Sequence, residues 1–380
     1  MTAPQHDVEL VGGRVFDSAS GSFTDAALAL RDGRIAGVGE PIGARRQIDV
    51  SGLIVVPGLI DLHVHVFPGV SHYGIGADEH CLLRGVTTAV DAGSAGAQTF
   101  PGFRAAVIER QRTRVLAYLH IAVAGMISPL VGELEDIRWA SPALAVARAR
   151  EHADVVVGIK VRLGWQMVGR DPEPALRQAR KAADRLGLPL MVHIIDMPRS
   201  ITWLLPLLGP GDVVTHCFHG NAGGILDERG RVHRDVFAAR SRGVVFDVGH
   251  GVGSFTFRVA RAAVEQGFAP DVVSSDIHAY NVGGPVYDHA TTLSKLLHLG
   301  MPLPDLVGSA TAAPAATIDR SAVLGSLAVG READVTVLEV ARGARTLVDG
   351  EEARETASEW LVPRLVVRAG TVLELGRAEE

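Results

Sequence analysis

Cysteine is scarce in this 380-residue chain, with only Cys81 and Cys217 present. Two thiols cannot staple a chain of this size, so a disulfide framework is excluded as the basis of its fold. Basic charge is also short: 37 Lys and Arg stand against 43 Asp and Glu, a net charge of −6, and no Lys/Arg cluster offsets it. That balance excludes nucleic acid as a partner, because such binding needs a basic surface. Long apolar runs are lacking too. The stretch Leu53–Val66 is interrupted by Pro57, Gly58 and Asp61, and no span reaches the ~20 apolar residues of a membrane helix. Met1–Leu10 is polar, without a basic segment leading into an apolar one. The expectation is therefore a cytoplasmic enzyme with a small-molecule substrate and no membrane partner. No internal repeat or low-complexity tract stands out.

What is present is an ordinary globular composition, 47% hydrophobic and 21% charged, sufficient for one large domain and a smaller one. Eight short apolar, β-branched runs can be read: Leu59–Val66, Thr87–Gly93, Val115–Val123, Val156–Leu163, Pro189–Asp196, Asp212–Phe218, Val244–Gly249 and Val272–His278. Between them lie helical segments such as Phe103–Arg112, Pro142–His152, Glu173–Leu186 and Phe257–Gly267. Strands alternating with helices build βαβ units and a parallel sheet. Eight units suit a closed (β/α)8 TIM barrel, an α/β fold. An open doubly wound sheet usually carries a Gly-rich phosphate turn after its first strand, and none is found here. Both chain ends carry short strands with turns at Gly12–Gly13, Asp32–Gly33, Gly52, Asp349–Gly350 and Ala369–Gly370, and Ala333–Leu338 and Leu365–Val367 read as strands. Neither end has enough apolar surface alone, so the two are expected to pair into one small β-sandwich. The expected division is residues 1–55 with 321–380 as the sandwich and 56–320 as the barrel.

Histidine is abundant, with 15 residues. Residues alternate faces along a strand, so His63 and His65 of Asp61-Leu62-His63-Val64-His65 point together into the barrel. Taken alone, that pair could be two hydrogen-bonded core histidines. It is joined, however, by Lys160, Arg162, His193, His216, Asp276 and His278, each near the carboxyl end of its apolar run. That end is where barrel active sites are built, and imidazoles and carboxylates clustered there form a metal site. Lys160 is informative. Beside two divalent ions at about 4 Å an ammonium would meet repulsion on the order of 16 kcal/mol, even at an effective dielectric near 20. It must be neutral or chemically altered, and carboxylation by CO2 would give a carbamate able to bridge two metals.

Several runs then resemble the amidohydrolase superfamily: Val56-Pro57-Gly58-Leu59-Ile60-Asp61-Leu62-His63-Val64-His65, and Gly330-Arg331-Glu332-Ala333-Asp334-Val335 in the closing sandwich strand. Its deacetylase branch, often labelled dihydroorotase-like, is matched by Gly85–Thr88, Asp91–Gly96, Gly211–Phe218 and Phe246–Gly251. The resemblance implies that His63 and His65 bind a more buried metal and His193 and His216 a more exposed one, with carboxylated Lys160 between them. It implies Asp276 as a ligand and as the general acid/base. Zinc is the metal it implies first, with manganese or iron as substitutes. True dihydroorotases carry a carboxylate-binding arginine two places after the second histidine, where this chain has Phe67. Arg162 shares the inward face with Lys160 and could take a carboxylate instead, or it could form a structural ion pair.

The expected reaction is hydrolysis of an amide or ester by a metal-bridging hydroxide, with Asp276 moving the proton. The expected substrate is a small N-acyl or O-acetyl α-substituted carboxylate. Cyclic-amide hydrolysis of the dihydroorotase or hydantoinase kind is the alternative, and a non-catalytic scaffold a remoter one. Assembly into a homo-oligomer is a further expectation. His250 and His278 are candidates to bind substrate or to support the ligands from behind, while His120, His219 and Tyr280 are weaker candidates for substrate contact. Cys217 should face away from the site, and Ser94 has no histidine–carboxylate pair to activate it as a nucleophile.

Overall fold

The computed structural model describes residues 6–375. Seven strands precede the barrel: β1 (His6–Val11), β2 (Arg14–Asp17), β3 (Ser22–Asp25), β4 (Ala27–Arg31), β5 (Arg34–Gly39), β6 (Ala44–Asp49) and β7 (Ile54–Pro57). The β4–β5 hairpin turns through Asp32 and Gly33, at φ 50° and 72°. An Asp-Gly pair with both φ positive matches the twist of the strands it joins. After the barrel come β15 (Val335–Val348), β16 (Arg354–Arg368) and β17 (Thr371–Glu374), numbered here to follow the barrel strands. Strands β17-β16-β15-β7-β2-β3 form one sheet and β5-β4-β1-β6 another. Leu10, Leu28, Leu30, Val55, Val335, Val337, Leu365 and Val367 are buried together as the core of this sandwich.

The barrel strands are β8 (Leu59–Val64), β9 (Val86–Gly96), β10 (Arg114–His120), β11 (Val156–Arg162), β12 (Leu190–His193), β13 (Val213–Thr215) and β14 (Val245–Asp247). They form a parallel sheet in the order β14-β13-β12-β11-β10-β9-β8. Every residue of β8, β9 and β11 is buried, as expected of parallel strands covered on both faces. The eighth segment closes the barrel without forming a regular strand. It meets its neighbours through isolated bridges, Val64 with Ile277 and Asp247 with Val272. Asp276, at φ 48°, breaks its extended course, while the Asp276 N–H still donates to the His63 carbonyl at 2.7 Å.

Helices pack outside. Pro142–Glu151 is capped by Ser141, Phe257–Glu265 by Thr256 and His289–His298 by Asp288, each side chain accepting from a backbone N–H in the first turn. Glu173–Leu186 buries Ala175, Leu176, Ala179, Ala182 and Ala183 on one face and stops at Gly187, in the left-handed conformation. Two expectations are corrected. Phe103–Arg112 is not one α-helix: Phe100–Phe103 runs into a π-helical turn, Arg104–Ile108. That wider turn sets the Arg104 guanidinium 2.9 Å from Glu109, five residues on. The C-terminal strands are also far longer than the short runs expected. The hairpin β15–β16 continues past the sandwich onto the barrel, where Leu347, Ala357 and Leu361 join the main core. Its register shifts between Val337 and Leu338 and between Arg342 and Arg345, and such bulges erase the period-two pattern from the sequence.

Asp334 ties the sandwich to the barrel. It accepts from Arg114 at the foot of β10, from Arg368 on β16 and from the Ala369 N–H. Asp334→Ala leaves the Arg114 and Arg368 guanidiniums to Glu332 alone, and thinning such a partly buried network should cost about 1–2 kcal/mol. Urea denaturation should read that loss as a lower midpoint with an unchanged slope.

Candidate metal centre

Strand ends bring six side chains to one cavity of about 580 Å³: His63, His65, Lys160, His193, His216 and Asp276. Register explains the placement. Lys160 pairs with Met191 and Arg162 with His193, while His193 pairs with Thr215 and Thr215 with Asp247. The polar ends of β11 to β14 therefore lie level, one beside the next.

His63 Nε2 and His65 Nε2 lie 3.4 and 3.2 Å from Asp276 Oδ1. Donor atoms of His63, His216 and Asp276 all fall within 4.8 Å of one another. The His193 ring lies 4.5 Å from that of His216, centroid to centroid. Lys160 Nζ is 3.4 Å from His63 Nε2. Burial holds the imidazoles of His63, His193 and His216 well below the ordinary histidine value and brings His65 to about 3. The rings are thus neutral, with lone pairs free to bind a cation. Burial likewise lowers the Lys160 amine to about 7 and pushes the Asp276 carboxyl up to about 6, although nearby His278, Lys160 and Arg162 pull the latter down.

The surroundings decide which nitrogen faces the cavity. His63 Nδ1 meets the Thr215 hydroxyl at 2.9 Å, and that hydroxyl donates to Asp247 at 2.7 Å. Thr215 can then only accept from His63, so the ring proton sits on Nδ1 and Nε2 is bare. His216 Nδ1 donates to the Gly249 carbonyl at 2.7 Å, which bares its Nε2 in the same way. His65 Nδ1 meets Ser94 Oγ at 2.9 Å, and Asp91 holds that turn by accepting from the N–H groups of Gly93 and Ser94. Asp276 Oδ1 is buried with no hydrogen-bond partner among the described residues. Lone pairs crowded this closely, on His63, His216 and Asp276, repel unless a cation lies among them. The residues present fit a divalent metal.

Gly93 has φ 97°, and a Cβ there would lie 2.8 Å from Lys160 Cγ. Gly93→Ala should therefore displace Lys160 and strain the backbone, lowering stability by about 2 kcal/mol. Thermal melting and metal content per chain would both show the change.

The other candidates divide. His278 and Arg162 line the cavity. Arg162 also pairs with buried Glu133 at 2.7 Å and lies over the Tyr73 ring, so the structural ion pair is formed, by a guanidinium that also stands on the cavity wall. Tyr280, a weaker candidate, is on the wall as well. His250 is corrected: it is fully buried outside the cavity, 2.6 Å from Lys295 Nζ. Its strand-end position suggested a substrate contact, but the turn at Gly249–Gly251 directs its ring away. His120 and His219 also lie off the cavity wall. Cys217 is buried in the outer core, and Phe67 packs against Phe103 with ring centroids 4.8 Å apart, away from the cavity. Sequence reasoning assigned no part to Thr215, Asp247, Asp91, Glu133 or Tyr73, nor to Asp196 and Glu351 on the wall. Asp91 and Asp247 did carry a signal, since each lies within a motif already singled out, but Glu351 had none.

No family model matches the chain. It is 36% identical over 363 residues to a deacetylase of Agrobacterium fabrum, covering 94% of this chain and 89% of that one. It is 34% identical over 358 residues to a deacetylase of Brucella anthropi, covering 93% and 89%. A crystal structure of an adenine deaminase superposes with a TM-score of 0.91 at 32% identity, over 97% of this chain and 100% of that one. A crystal structure of a dihydroorotase does so at 0.90 and 34% identity, over 98% and 100%.

Proposed function

The chain belongs to the deacetylase family of the amidohydrolase superfamily, and from that premise we propose that this hydrolase removes an acetyl or similar acyl group from a small α-substituted carboxylate. The observation that carries the reading is the buried group of His63, His216 and Asp276, with Nε2 of both rings bare and His65 beside them, facing a cavity whose wall also carries Arg162. His63, His65 and Asp276 would hold one divalent ion, and His193 and His216 a second, with carboxylated Lys160 between them. Bound metal, zinc in the first instance, supplies an acidified water and polarises the acyl carbonyl. Asp276 then accepts a proton from the attacking water and delivers it to the leaving nitrogen or oxygen. Arg162 takes the substrate carboxylate with the guanidinium edge that Glu133 does not occupy. The wall of Tyr73, His278 and Tyr280 limits the α-substituent.

Lys160 is suited to carboxylation because burial brings its amine to about 7, leaving a free lone pair to attack CO2 with loss of one proton. Lys160→Ala should lose one of two metal ions per chain and most activity. Metal analysis reads the first, and partial rescue by short carboxylates such as formate or propionate checks the second.

Ring opening of a cyclic amide is the second reading, and similarity to a dihydroorotase structure speaks for it. Phe67, turned into the core where a carboxylate-binding arginine would be needed, speaks against it. A rate panel of N-acetyl amino acids, O-acetyl hydroxy acids and cyclic amides on metal-loaded protein separates the two. Turnover of the cyclic amides alone would overturn the deacetylase reading.

A further inference from the structure

We propose that Lys295, which lies outside the cavity, is a positioning residue for the metal centre and acts through His250 on the turn Gly249–Gly251. Lys295 sits on helix His289–His298 and is fully buried. Its Nζ lies 2.6 Å from His250 Nε2 and donates to the Pro285 carbonyl at 2.8 Å. His250 Nδ1 donates to the Gly251 carbonyl at 2.9 Å, so Nε2 is the lone pair that receives the lysine. Burying an amine between two neutral acceptors is costly, and the two hydrogen bonds it makes offset that cost.

The pair clamps a turn that touches two of the ligands. Gly249 and Gly251 have φ 47° and 54°. The Gly249 carbonyl is the group that orients His216, at 2.7 Å from its Nδ1. A Cβ on Gly251 would lie 2.6 Å from Asp276 Oδ2, so the bare backbone there forms the floor beneath that carboxylate. His250 is held from its other side by stacking on Phe255, with centroids 4.8 Å apart. Without Lys295, His250 has no partner at Nε2 and can rotate, taking the Gly251 carbonyl with it. The turn then loosens at both ends, under His216 and under Asp276. This inference rests on reading those two residues as ligands.

The test uses full-length Lys295→Met, with Lys295→Leu/His250→Phe as a second variant. The double variant leaves neither side chain unpaired, so it folds even where the single one does not. Zinc affinity is measured by chelator competition, and the visible spectrum is recorded on cobalt-loaded protein. Outer partners of metal ligands typically contribute 10–100-fold to affinity, so either variant should bind zinc about tenfold more weakly, with a changed cobalt spectrum. At saturating metal, kcat should fall while KM holds. In metal-free protein, imidazole ¹⁵N NMR should show His216 protonated at Nδ1 in the parent and a mixture of tautomers in the variants. A folded variant with parental zinc affinity, cobalt spectrum and His216 tautomer overturns the proposal. If the parent binds no metal, the functional reading fails and the tautomer measurement alone decides this one.

Discussion

Asp276→Asn is expected to lower kcat by roughly 10²–10⁴-fold, the range of general acid–base catalysis, while much of the metal stays bound. The amide keeps the shape of the side chain and one weak ligand oxygen, but it cannot accept a proton at neutral pH. Asp276 is the only carboxylate in the candidate ligand set, and its Oδ1 has no hydrogen-bond partner among the described residues, so it is free to receive one. Burial pushes its carboxyl up to about 6, and a bound cation pulls that value back down. The base is therefore the ionised form, lost as pH falls through the carboxyl's pKa in the loaded enzyme. In the parent, kcat/KM should fall on the acid side, below about 6, and in the variant that limb should disappear. Near-normal turnover of metal-loaded Asp276→Asn would move the proton transfer elsewhere, with His278 next along the cavity wall.

Stripping the metal is expected to abolish turnover, a loss of at least about 10³-fold given the several kcal/mol of stabilisation that a Lewis acid supplies. Added zinc or manganese should restore it. Ser94 and Cys217 offer no substitute nucleophile. Ser94 Oγ is engaged with His65, and Cys217 is buried in the outer core with burial holding its thiol far above the ordinary range. The four neutral imidazoles also give the demetallated protein a distinct pH response. With burial holding each ring's pKa below the unfolded value, their share of stability is present above the ordinary histidine range and is lost as pH falls. Thermal melting of the demetallated protein should therefore drop in mild acid, and bound metal should raise the melting temperature without removing that slope, because the unfolded histidines still take up protons. Full activity in fully demetallated protein would end the metal-dependent reading.

The barrel and the positions of the candidate ligands were legible because both depend on local rules. Alternating apolar runs and helices give a parallel sheet, and a polar residue at the carboxyl end of a run lies at the barrel mouth whatever its neighbours are. His63, His65, Lys160 and His193 follow from strand period alone. His216 and Asp276 do not, since their φ angles of 70° and 48° end regular strand geometry at the ligands themselves. Packing across the barrel mouth holds them in that conformation. The proton-fixing partners were legible only in part: Asp91 and Asp247 stand in recognisable runs and Asp91 holds Ser94 within its own segment, but the engagement of Asp247 with Thr215 depends on which strands lie side by side.

His250 and Glu351 show where sequence reasoning ends. His250 has the strand-end address of a substrate contact, yet Lys295, 45 residues on, takes its free nitrogen into the core. Glu351 reaches the cavity because β15 and β16 run beyond the sandwich and bring their connecting turn to the barrel mouth. The sequence by itself determined the fold class through periodicity and, through its resemblance to a known family, the candidate ligand set, because both are read from runs of neighbouring residues. Only the tertiary structure decided which nitrogens of His63 and His216 are bare, which carboxylate pairs with Arg162 and which distant turn reaches the cavity. Those outcomes depend on contacts between residues far apart in the chain, and a hydrogen bond or ion pair forms only where the fold brings its two halves together.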